Sequence, residues 1–270
     1  MARYAARRDG KEPGPGYPRR MHKAPLPLGV TLLPLGAAPS SLDAVVALGL
    51  EGVQLDAADP DLRPRELGES ARRDLAAALR RRGLRASGID CIIPVERFAD
   101  PARVERAMDA VHGCLSLAEH LQRVPVCLHL PHAEAPEVVQ ALQREAQRRG
   151  VPLADCTVPV SADASLAVCV DPAAVLAGGG DPAAVVAAAG ARIVAARVVD
   201  LLRSGLRGPV DEPGASRLDT LGYRVALEVA GFRGLPVIDC RQWTDMRRGV
   251  LDTAQRWVAL LPSGATGVPS

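Results

Sequence analysis

From residue 28 onward, short apolar runs alternate with segments whose apolar positions recur every three to four residues. The first kind of run reads as a strand buried on both faces, the second as an amphipathic helix. Strands are predicted at 28–35 (LGVTLLPL), 52–57 (GVQLDA), 85–93, 124–131, 151–158, 165–171, 192–200 and 235–240. Helices are predicted at 41–50, 69–83, 100–122, 135–150, 181–190, 217–232 and 246–261. Local signals support these limits. Gly83 and Gly150 stop their helices, and Asp100 followed by Pro101 opens one.

Strands mostly alternating with helices mean a parallel sheet with crossover helices. Eight strands point to a closed α/β barrel, a (β/α)8 TIM barrel. One link is short. Only residues 159–164 (PVSADA) separate the fifth and sixth strands, where a parallel crossover needs roughly ten to twelve residues. Either the fifth helix is missing or one of these two strands is misassigned. An open doubly wound sheet is the competing architecture. It calls for a Gly-rich phosphate loop after the first strand, and PLGAAPS (34–40) has no G-x-G-x-x-G.

Composition refines this picture. The 270 residues are 48% hydrophobic but only 3% aromatic, so the core rests on Ala, Val and Leu. Residues 1–27 carry seven Arg or Lys against Asp9 and Glu12. They read as a disordered, basic, Pro/Gly-rich leader, followed by a barrel domain at 28–262 and a disordered tail at 263–270. The formal net charge of +2 leaves no strong nucleic-acid footprint. No apolar run is long enough for a membrane helix, and the leader has no secretory h-region. The six cysteines form no C-x-x-C pair and sit mostly in apolar runs. They read as reduced core thiols of a cytoplasmic protein, not as a zinc site.

The candidate chemistry lies at the strand ends. Asp56, Asp90, Asp155, Asp171, Asp200 and Asp239 each fall at or near the end of a predicted strand. In a barrel these positions share the carboxyl-end face, where the loops build the site. Carboxylates gathered there need a cation, a proton or arginine partners. Arg197 and Arg241 are candidates for that role. The competing reading is that each Asp caps its own loop or helix, which Asp171 before Pro172 suits well. The fourth strand ends in CLHLPH, so His129 and His132 also reach the rim, with His129 the better site candidate.

The stretches GVQLDAADPDLRPRELGESARRDLAAALRRRGLRASGID, VCVDPAAVLAGGGDPAAVV and ARVVD resemble the sugar phosphate isomerase/epimerase group of xylose isomerase-like barrels. The resemblance covers about residues 28–260 and implies a divalent metal (Mn, Mg or Zn) held by strand-end ligands. Carried over residue by residue, it puts Asp155 at the fifth-strand Glu position, Asp171 at the sixth-strand Asp and Asp239 at the eighth-strand Glu. The seventh strand keeps its Asp as Asp200. The group's His after the sixth strand is Ala174 here, and its seventh-strand His falls on Arg197. A guanidinium stays protonated and cannot coordinate a metal; among these acids it would replace the ion by charge-assisted hydrogen bonds.

Three readings follow. The first is a sugar or sugar-phosphate isomerase/epimerase in which Asp155 and Asp239 exchange a substrate proton. In it Asp171 serves as ligand or anchor, and His129, Arg197, Arg241, Asp90 and Asp56 bind a small carbohydrate. The second is a non-catalytic barrel binding a sugar-like or anionic metabolite, its mouth closed by Arg–Asp pairs. The third is a metal-dependent nuclease of abasic DNA, which needs more His and Glu ligands than the strand ends supply.

Overall fold

The computed structural model describes residues 26–36 and 40–260. The predicted leader up to residue 25, and the tail, lie outside them. In chain order the strands are β1 (Leu26–Thr31), β2 (Leu50–Asp56), β3 (Arg85–Asp90), β4 (Val126–Leu128), β5 (Leu153–Asp155), β6 (Ala167–Val170) and β7 (Ile193–Val198). A hairpin follows, β8 (Asp200–Leu201) and β9 (Arg207–Gly208), and then β10 (Val237–Ile238). Eight of these close a parallel barrel in the order β1-β10-β7-β6-β5-β4-β3-β2. The open-sheet alternative is thereby excluded.

The helices are α1 (Ser40–Ala47), α2 (Glu69–Arg81), α3 (Glu96–Ala99), α4 (Val104–His120), α5 (Pro136–Arg149), α6 (Pro172–Ala177), α7 (Pro182–Ala189), α8 (Thr220–Val229) and α9 (Met246–Ala259). Their ends follow local chemistry. The carboxylates of Asp171, Asp181, Asp219 and Asp245 each accept from a backbone N–H in the first turn of the helix that follows. Gly150 ends α5 at φ 65°, a left-handed conformation that glycine adopts without a Cβ penalty. The helix predicted from residue 100 starts at Val104. Asp100 instead closes a turn, its Oδ1 accepting from Ala102 N–H at 2.9 Å.

Two departures shape the site. Residues 156–166, between β5 and β6, form no helix, yet β5 and β6 pair directly in parallel. The predicted gap in the helix ring is real, and both strands exist. The seventh strand, predicted to run to residue 200, leaves the barrel after Val198. Asp200 pairs antiparallel with Gly208 in the separate hairpin.

The main core lies between barrel and helices and includes Leu28, Val53, Leu115, Leu142 and Tyr223, none more than 1% exposed. A smaller apolar cluster joins Cys127, Ala154, Cys169 and Ala195 on β4 to β7. These side chains are short, which leaves room for Gln54 and Arg197, both almost fully buried. Gly88 serves the same end. A Cβ there would meet Gln54 Oε1 at 2.8 Å and the Pro125 carbonyl oxygen at 2.9 Å.

Candidate functional site

The six strand-end aspartates divide into two sets. Asp56, Asp155 and Asp200 are held by nearby groups. Asp56 Oδ1 accepts from Ala58 N–H at 2.8 Å. Asp200 accepts from the Ser216 hydroxyl and from the N–H groups of Arg217 (3.1 Å) and Leu218 (2.9 Å). Asp155 Oδ1 accepts from Thr157 N–H at 3.0 Å and Thr157 Oγ1 at 2.6 Å, and Oδ2 lies 2.7 Å from His132 Nε2. For Asp56 and Asp200 these contacts are what a loop-capping carboxylate makes. Asp200 has also left the barrel with its hairpin.

Asp90, Asp171 and Asp239 are tied together by three arginines. Arg197 on β7 reaches Asp90 on β3 through Nη2, and Gln54 Nε2 donates to the same Asp90 Oδ1 at 2.9 Å. Arg241 clasps Asp239 with Nε (2.8 Å) and Nη2 (2.7 Å). Its Nη1 stands 3.3 Å from Asp90 Oδ2. Arg207, on the hairpin strand β9, donates through Nη2 to Asp171 (2.8 Å) and Asp239 (3.0 Å). Arg241 neutralises Asp239, whereas Arg197, expected among Asp155, Asp171 and Asp239, pairs with Asp90 instead. Arg207 was missed by the sequence reading. Its one signal is the Ser-Gly turn pair at 204–205, which folds LRG back beneath VVDLL.

Burial would raise the Asp239 carboxyl. The Arg241 hydrogen bonds, with the charges of Arg197 and Arg207, overcome this and hold it at about 2. For Asp90, burial is the larger influence and pushes the carboxyl up, against the pull of Arg197 and Arg241. One guanidinium nitrogen of Arg197 and one of Arg241 are buried without a hydrogen-bond partner among the described atoms.

This arrangement does not fit the hard divalent ion that the resemblance implies. Arg207 occupies Asp171 and Asp239, Asp155 is engaged elsewhere, and Arg197 stands where a histidine ligand would be needed. Asp155, Asp171 and Asp239 do not form a set of close donor atoms. Among the described residues, the one group of three such side chains with donor atoms within 4.8 Å of each other is Cys127, Cys156 and Cys169. These thiols are separate in sequence but neighbours across β4, β5 and β6, and all three are free.

Two cavities flank the plugged centre on the carboxyl-end face. One, of about 530 Å³, lies among the β2–α2 loop, α3 and α4. Arg63, Arg65, Arg97, Arg103 and Arg106 line it, with no acidic residue in its wall among the described residues. Arg63 and Arg65 approach Glu66, and Arg103 pairs with Asp100 at 3.1 Å. Arg97 and Arg106 have no carboxylate partner among the described residues. The other cavity, of about 620 Å³, is lined by His129, His132, Glu96, Glu134 and Thr157 among apolar side chains. His129 is exposed here rather than turned into the barrel. Ile93 borders both cavities.

No family model matches the sequence, and no curated protein matches it. Solved structures do. A xylose isomerase domain protein from Planctomyces limnophilus aligns over 87% of this chain and 97% of its own, at 19% identity and TM-score 0.66. D-psicose 3-epimerase with D-tagatose from Clostridium cellulolyticum H10 aligns over 86% and 98%, at 14% identity and TM-score 0.70. IOLI protein with a binding zinc atom aligns over 86% and 96%, at 14% identity and TM-score 0.66. At these identities the likeness shows the fold alone, a TIM barrel that this chain shares with these proteins.

Proposed function

We propose that this barrel binds a small phosphorylated or carboxylated carbohydrate at its carboxyl-end face, without the hard divalent ion typical of the group it resembles. One observation carries the reading: five arginines line a cavity beside the mouth, and no carboxylate stands in its wall. Its volume of about 530 Å³ suits a small metabolite, since ligand pockets run from roughly 300 to 1,000 Å³. Guanidinium groups recognise phosphate and carboxylate by paired, charge-assisted hydrogen bonds. The fold is shared with D-psicose 3-epimerase, solved with D-tagatose, which supports a carbohydrate as the remainder of the ligand.

The central acids are poor candidates for proton transfer in this reading. A carboxyl held at about 2 is a weak base, and Asp239 is clasped by Arg241 and Arg207. Asp155 keeps a role of another kind, as the partner that orients His132. That pair supports a second reading, an isomerase or epimerase that works without a hard metal. His132, oriented by Asp155 at 2.7 Å in the adjoining cavity, would take a proton from a carbon next to a carbonyl, and an arginine would stabilise the enediolate oxygen.

Two measurements test and separate these readings. Glucose 6-phosphate is expected to raise the melting temperature, whereas glucose at the same concentration leaves it unchanged; equal effects would overturn the anion-binding reading. Incubation of sugar phosphates in deuterated water tests the second. Deuterium entering the α-carbon with the wild type, and none with His132→Gln, would make the protein an enzyme.

A further inference from the structure

Three of the six cysteines gather their thiols in one place within the smaller apolar cluster. Cys91 and Cys114 are fully enclosed in the main core, and the Cys240 thiol donates to the Thr31 carbonyl oxygen at 3.8 Å and lies 3.4 Å from the Thr31 hydroxyl at the β1–β10 seam. Cys127, Cys156 and Cys169 instead bring their Sγ atoms within 4.8 Å of one another. The pairing of the strands explains how. Cys127 stands opposite Ala154, two residues before Cys156, and Ala154 stands opposite Ala167, two residues before Cys169. Side chains alternate along a strand, so all three thiols face the same side of the sheet.

We propose that Cys127, Cys156 and Cys169 form a three-thiolate site for Zn²⁺, which adjoins the arginine–aspartate ring through Gln54 and is independent of the sugar-binding reading. Soft thiolates select Zn²⁺ and Cu(I) over Mg²⁺ or Mn²⁺. Charge favours the divalent ion. Three thiolates around Zn²⁺ leave one surplus negative charge, and around Cu(I) they leave two. The guanidinium near Cys169 and Cys127, that of Arg197, is already paired with Asp90, so the ion with the smaller surplus charge is favoured. Arg197 keeps one buried nitrogen without a partner, a donor available to a thiolate. Gln54 supplies a further outer contact, its Nε2 directed at Cys127 Sγ at 3.8 Å while its Oε1 accepts from Ser87 at 3.1 Å. Outer hydrogen bonds of this kind orient metal ligands. Among the described residues no His, Asp or Glu joins the group, so the fourth zinc position is left to water. Cys127 and Cys169 are buried and Cys156 is half-buried. Thr157 and Val158, directly after Cys156, line the 620 Å³ cavity.

The full chain, reduced and stripped with chelator, is titrated with Cd²⁺ as a spectroscopic stand-in, following sulfur-to-metal charge transfer in the ultraviolet. One equivalent per chain is expected to saturate the band, and Zn²⁺ to abolish it by competition. Cys156→Ala, at the half-buried position, is expected to weaken Cd²⁺ binding by more than about tenfold, whereas Cys91→Ala leaves it unchanged. Circular dichroism confirms that each variant is folded. Should Cys156→Ala be misfolded, protection of Cys156 from alkylation by Zn²⁺ in the wild type replaces it as the readout. No charge-transfer band, a band insensitive to Cys156→Ala, or alkylation of Cys156 unaffected by Zn²⁺ would overturn the proposal.

Discussion

Two arginine clusters share one face of this barrel and behave in opposite ways. At the centre, Arg197, Arg207 and Arg241 meet Asp90, Asp171 and Asp239, and the charges cancel within the protein. At the β2–β3 edge, Arg63, Arg65, Arg97, Arg103 and Arg106 surround open space with no acid in its wall. The residue type is the same, and what differs is burial and pairing: the central arginines meet buried carboxylates, whereas at the edge Arg63, Arg65 and Arg103 meet only solvent-accessible Glu66 and Asp100, and Arg97 and Arg106 meet none among the described residues. A guanidinium beside a buried Asp becomes part of the scaffold. One beside a cavity is left for a ligand.

The largest expected effect separates the clusters by stability. Arg197 is 3% exposed, and removing one partner of a buried pair costs about 3–5 kcal/mol. Arg197→Ala should therefore lower the urea unfolding free energy by roughly that amount. Arg97→Ala and Arg106→Ala, at exposed positions, should stay within about 0.5 kcal/mol of wild type. Equal losses in both clusters would end the distinction.

Acid titration comes next in size. The Asp239 carboxyl, held at about 2, is depressed relative to an unfolded value of about 3.9. A group depressed on folding stabilises above its unfolded value, and that stabilisation is lost as pH falls toward the folded value. The contribution, on the order of 2 kcal/mol, should be present at neutral pH and disappear between about pH 4 and pH 2. Asp239→Asn should flatten this part of the stability–pH curve, and an unaltered slope would show that Asp239 is not held by Arg241 and Arg207.

The smallest expected effect is none. Calorimetric titration with Mn²⁺ or Mg²⁺ should give no binding tighter than about millimolar, because arginines already satisfy the carboxylates. Tight Mn²⁺ binding that is lost in Asp171→Ala would restore the metal site of the resembled group.

Much of this was legible in the sequence, and the limits of legibility are physical. Strand–helix alternation gave the closed barrel, and the short PVSADA link gave the missing fifth helix. Arg197 at a ligand position foretold the arginine-closed centre. The periodicity of 192–200 concealed the break after Val198, since an apolar run looks the same whether its last residues stay in the barrel or turn into a hairpin. Asp200 was therefore assigned to the rim, and Arg207 went unnoticed. His132 was passed over for His129 because β4 ends at Leu128, and alternation no longer fixes side-chain direction beyond it. The arginine-lined cavity draws on residues 63 to 106 across a loop and two helices, a gathering that no local motif records. The three clustered cysteines share that invisibility, being joined by strand pairing alone.

The central claim, that the open arginines take an anionic sugar, is tested most directly by calorimetry of glucose 6-phosphate on wild type and on an Arg97→Ala/Arg106→Ala double variant. A hydrogen bond to a charged group contributes about 1.5–3 kcal/mol, so the double variant should bind at least about tenfold more weakly while unfolding at the same urea concentration. Unchanged affinity in that variant would contradict the account.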